Sequence, residues 1–102
     1  MHIDFKHELS DDAARARLEA LADYLHNRHG IRVAWVDGRA KFAGKYMVVK
    51  IEGELSLAAG MIHFRGQDPG ILWRRRALRY LEAKLKRYLD PAVGLDELPR
   101  GT

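Results

Sequence analysis

The chain of 102 residues has no cysteine, which excludes disulfides, thiolate metal sites and thiol nucleophiles together. Serine is scarce as well. A Ser–His–acid arrangement would have to use Ser10 or Ser56; the first reads as a helix cap, and the second falls in a regular strand row without the strained turn a nucleophile occupies. The glycines are scattered at turns, with no phosphate-cradling run before a helix. No apolar stretch approaches the roughly 20 residues that span a bilayer. Residues 1–10 alternate polar and apolar side chains instead of forming the apolar core of a signal peptide. These absences predict a cytoplasmic protein that does not insert into membranes, is not an enzyme and carries no cofactor.

A hydrophobic content of 47% is that of a globular chain. The expectation is a single domain over residues 1–91 followed by a short, loosely held C-terminal tail over 92–102 containing Gly94, Pro99 and Gly101. The net charge of +4 is local, since residues 71–90 carry seven Arg and Lys against Glu82 and Asp90. An electrostatic partner should meet the protein there.

Ile3, Phe5 and His7 alternate with Asp4, Lys6 and Glu8, the period of a half-buried strand. Ser10 then reads as an N-cap, with Asp11 and Asp12 in the first turn and Ala14, Leu18, Leu21, Ala22 and Leu25 at helical spacing. Gly30 is the natural residue to end that helix, which should span residues 11–29.

Four strands follow. Asp37-Gly38 favours a type I′ hairpin, which pairs Val36 with Arg39, Trp35 with Ala40 and Val33 with Phe42. A second loop at Gly44-Lys45 would pair Phe42 with Met47 and Ala40 with Val49. A third, through Ala58, Ala59 and Gly60, returns Ile62 opposite Leu57 and Phe64 opposite Leu55. All three hairpins then agree on one apolar face, and Gly53 interrupts its row. After Gln67-Asp68-Pro69-Gly70, Ile71, Leu78, Leu81, Leu85 and Leu89 form the stripe of a second helix, with Tyr88 at its margin and Pro91 ending it. The predicted fold is α+β in the order β-α-β-β-β-β-α, a mostly antiparallel sheet with both helices on one face.

HELSDDAARARLEALADYL at residues 7–25 and GIRVAWVDGRAKF at 30–42 resemble a family of small bacterial proteins called polyhydroxyalkanoic acid system proteins. His7, Leu9, Ala14, Leu18, Leu21, Leu25 and Trp35 carry the likeness. The family is named for genes lying beside those of storage-polyester granules. The resemblance implies a granule-associated or regulatory role and supplies no catalytic residue.

Other chemistry has a plainer reading at each position. His26 and His29 sit at i, i+3, with Asp23 the nearest third donor, but histidine in a last helical turn is favoured by the helix dipole alone; no metal site is assigned. Glu52 and Glu54 share a strand face about 7 Å apart, a spacing used by acid–base pairs, yet common on solvated strands. Trp73, Arg74, Arg75, Arg76 and Arg79 combine an aromatic with a guanidinium cluster and form the candidate interaction surface. The expected function is a non-enzymatic accessory role with a protein or granule surface as partner. A nucleic-acid-binding role through the same helix is the alternative. A homodimer is also expected, because Trp73 and Tyr80 lie off the apolar stripe.

Overall fold

Local signals set the first helix. In the computed structural model, which describes residues 1–46 and 48–102, Ser10 Oγ accepts the Ala13 amide at 3.2 Å. Helix α1 then runs Asp11–His29, and Gly30 ends it in the left-handed region at φ 68°. Strand β1 (His2–Lys6) precedes it; β2 (Arg32–Val36), β3 (Arg39–Tyr46), β4 (Val49–Ala58) and β5 (Met61–Gly66) follow. Helix α2 (Arg74–Tyr88) and a 3-10 turn at Leu95–Glu97 complete the chain.

The sheet has the order β1-β5-β4-β3-β2, and every pairing is antiparallel. Its register explains the core. Trp35, Ala40, Leu55, Phe64 and Ile3 stand opposite one another in a row that crosses all five strands. Both helices cover this face, and Leu18, Leu21, Leu25, Leu85 and Tyr88 are buried against it. The reverse face carries two polar rows, Ala34–Lys41–Glu54–Arg65–His2 and Val36–Arg39–Ser56–His63–Asp4.

The Asp37-Gly38 turn forms as expected, with both residues at positive φ (51° and 76°) and Val36 opposite Arg39. The next turn does not. Gly44 and Lys45 lie inside β3, opposite Ile51 and Lys50, and Phe42 stands opposite Gly53. Met47, the expected partner of Phe42, lies outside the described residues, and Ala40 pairs with Leu55 in place of Val49. Gly44 is in the strand for a packing reason, since a Cβ there would sit 3.2 Å from Ile31 Cα. Gly53 pairs with Gly66, and the Phe64 ring occupies the room they leave, within 2.7 and 2.8 Å of the Cβ each lacks.

Three further expectations need correction. Ile71 does not belong to the stripe of α2; it precedes the helix in a turn and is 83% exposed. Tyr88, expected at the margin, is fully buried. The C-terminal segment is docked as well, because Leu98 is buried, Arg100 pairs with Asp23 at 2.6 Å, and Tyr88 donates its hydroxyl proton to Pro99 O.

Candidate interaction surface

Helix α2 begins without a conventional cap. Trp73 holds the N-cap position with no side-chain hydrogen bond, and Arg74, Arg75 and Arg76 fill the first turn with no acidic residue among them. Cations at a helix N-terminus oppose the macrodipole, each by about 0.3–1 kcal/mol. Asp68 offsets part of this: its carboxylate accepts the Gly70 amide at 2.9 Å and the Arg74 guanidinium through Nε at 2.9 Å. The Arg74 guanidinium, then the Gly70 N–H, hold that carboxyl below its ordinary range.

The sequence-predicted residues do not form one uniform patch. Arg74 is tied to Asp68, and the Arg76 guanidinium lies 5.7 Å from the centre of the Trp73 ring. Arg75 and Arg79 are exposed. Trp73 is half-buried and, with Phe42, Tyr46, Ile51, Phe64 and Tyr80, lines a cavity of about 350 Å³ between α2, the C-terminal end of α1 and the sheet. Beside its mouth in the chain stand the most exposed aliphatic side chains of the described residues, Val48 (88%), Ile71 (83%) and Leu72 (84%). Ile71 fits the helical period of the core stripe, but α2 starts three residues later, which leaves it exposed.

In the same region the half-buried His29 lies among tyrosines. Its ring meets Tyr24, Tyr46 and Tyr80 edge-on at 5.9, 5.4 and 6.1 Å, and its Nε2 lies 3.2 Å from the Tyr80 hydroxyl. Asp23 is paired with Arg100, and His26, His29 and Asp23 do not come within ligand distance of one another as a group among the described residues. Burial pushes the Tyr80 hydroxyl up to about 12, and nearby Tyr24, Tyr88 and Tyr46 act in the same direction; burial also raises Tyr88. The unfolded chain, with tyrosines near pKa 10, then loses these protons first. Stability should therefore fall as pH climbs from about 10 towards 12, modestly for Tyr80 because 42% of it is exposed. Urea midpoints at about pH 9 and about pH 11 check this: the decline should be shallower in Tyr80→Phe, and an equal decline in both proteins would contradict it.

On the polar face, Glu54 pairs with Arg39 at 3.2 Å and Glu52 with Lys50 at 3.7 Å. Each carboxylate thus has its own cation, not the shared proton of an acid–base pair. The face also joins residues that sequence reasoning left separate. His63 Nδ1 lies 2.6 Å and His2 Nε2 2.8 Å from Asp4 Oδ1, and these hydrogen bonds, that of His63 foremost, lower the Asp4 carboxyl. At the end of β1, His7 Nδ1 accepts the Leu9 amide at 3.1 Å, a structural role.

A comparison with protein families matches residues 1–93 to the family described as "Putative polyhydroxyalkanoic acid system protein". The chain belongs to this family. The match runs from the first strand through α2 to the start of the docked C-terminal segment, so it includes the basic helix and the cavity mouth. No curated protein and no solved structure matches the chain. No helix among the described residues is long and apolar enough to cross a membrane.

Proposed function

We propose that this member of the polyhydroxyalkanoic acid system family is a non-enzymatic accessory protein of the cytoplasm that docks on the polyester granule surface. The contact is the end of the molecule where α2 begins. The observation that carries the reading is the exposure of Ile71 and Leu72, 83% and 84%, next to a first helical turn made of arginines. A storage polyester presents methyl and methylene groups interspersed with ester carbonyls. Bare aliphatic side chains can bury themselves in the former, and guanidinium N–H groups can donate to the latter. Arginines at a helix N-terminus weaken the helix, so their placement is better accounted for by a partner than by the fold. Nothing in the arrangement favours nucleic acid, since Arg74 is occupied by Asp68 and Trp73 lines a cavity.

The test is co-sedimentation of the full chain with amorphous polyhydroxybutyrate particles. Burying Ile71 and Leu72 contributes about 3–6 kcal/mol together, so the double variant Ile71→Ser, Leu72→Ser should bind at least about 100-fold more weakly. Arg75→Glu, Arg76→Glu, Arg79→Glu should also weaken binding while leaving the melting temperature unchanged or raised, because carboxylates suit the first turn at 75 and 76 and Arg79 is an exposed side chain in the second. Failure of the wild type to sediment with polymer sinks the reading. Generic DNA binding with a log–log salt slope of about −0.7 to −0.9 per phosphate would hand the surface to nucleic acid. Self-association abolished by the aliphatic double variant would instead assign it to a homodimer.

A further inference from the structure

We propose that His2, Asp4 and His63 form a binding site for a zinc-class transition-metal dication on the open polar face of the sheet. Strand alternation puts His2 and Asp4, two residues apart, on the same face, and the β1–β5 register places His63 directly opposite Asp4. His2 Nε2, Asp4 Oδ1 and His63 Nδ1 all lie within 4.8 Å of one another, the one such grouping of three metal-ligand side chains among the described residues. Two imidazoles and a carboxylate suit Zn²⁺, Ni²⁺ or Cu²⁺ and leave a coordination position for water.

The backbone beneath the donors is fixed. Met1 and Gly66 exchange reciprocal hydrogen bonds, both at 2.9 Å, so His2 does not sit on a frayed end. The side chains are free enough to adjust, at 52%, 50% and 39% exposure for His2, Asp4 and His63. Bonds of about 2.0–2.1 Å in a tetrahedral site set donors about 3.3 Å apart. The present separations of 2.8 and 2.6 Å therefore need to open by roughly half an ångström. Entry of the ion replaces the protons that the imidazoles now share with Asp4. Lys6 follows on the same face of β1, and Arg65 stands opposite His2. Their charge opposes a dication, and Glu54, opposite Arg65, offsets part of it; the affinity should be micromolar, not nanomolar.

Calorimetric titration of the full chain with ZnCl₂ alone tests the site. One ion per chain should bind, and Asp4→Asn and His63→Gln should each weaken binding at least tenfold, whereas His26→Gln should leave it unchanged. All three positions are exposed enough for the variants to fold, which their melting temperatures report, and His2→Gln gives an independent third check. Absence of saturable binding, binding that keeps its strength in any of the three site variants, or a loss on His26→Gln would overturn the proposal.

Discussion

Replacing Arg17 by alanine should destabilise the protein by about 3–5 kcal/mol, a large part of the ~5–15 kcal/mol typical of a domain. Arg17 is a charged side chain on α1 with only 9% of its surface exposed. Its guanidinium donates to three backbone carbonyls, Tyr88 O at 3.1 Å, Asp90 O at 2.9 Å and Val93 O at 2.5 Å. Asp90 O also accepts the Val93 amide at 3.1 Å, whereas Tyr88 O and Val93 O lie past the last helical hydrogen bond and depend on Arg17 for a donor. Alanine removes all three donors and leaves a void beneath the C-terminal segment. Lysine should fall between wild type and alanine, because a single ammonium cannot reproduce the planar fork. Urea denaturation measures both variants; a loss below about 1 kcal/mol for Arg17→Ala would mean that the segment needs no such clamp.

Leu21→Ala should cost about 2–5 kcal/mol. Leu21 is 1% exposed at the centre of the face that α1 turns to the sheet, so its removal leaves a cavity that the strands cannot close by shifting. The equivalent change in α2, Leu81→Ala, should cost less, about 1–2 kcal/mol. Leu81 is only partly buried and lines the cavity near Trp73, where some of its surface is already without partner atoms. Equal losses at the two positions, or none at Leu21, would contradict the packing described.

Much of the fold was legible because its signals are local. A serine cap, a left-handed glycine and an Asp-Gly turn each act within about four residues, and α1 and the β2–β3 hairpin formed where those signals stood. The β3–β4 turn misled for an instructive reason. The expected and observed registers differ by an even number of residues, so both put Phe42, Ile51 and Leu55 on one face and leave the alternation intact. Hydrophobic pattern rejects an odd slip and is blind to an even one. Gly44 looked like a turn residue, yet its missing side chain makes room for Ile31.

The candidate surface was legible as a composition, Trp73 among arginines, but not as a geometry. Whether Ile71 joins the core depends on where α2 starts, at a turn where Asp68 gathers the Gly70 amide and Arg74 and Gly70 O accepts the Trp73 and Arg74 amides. The His2–Asp4–His63 group had no sequence signal, since Asp4 and His63 are 59 residues apart and meet only through the pairing of the first and last strands.

By itself, then, the sequence determined the element order, the inner face of each strand and the sign of the charge on α2. These follow from side-chain periodicity, capping and turn chemistry, which operate between near neighbours. Only the tertiary structure decided that β1 pairs with β5 and in which register β3 meets β4, that Arg17 and Tyr88 are buried to hold the C-terminal segment, and that Ile71 and Leu72 remain in solvent. Those outcomes depend on contacts between distant residues, where close packing and the satisfaction of buried carbonyls override what any single residue prefers.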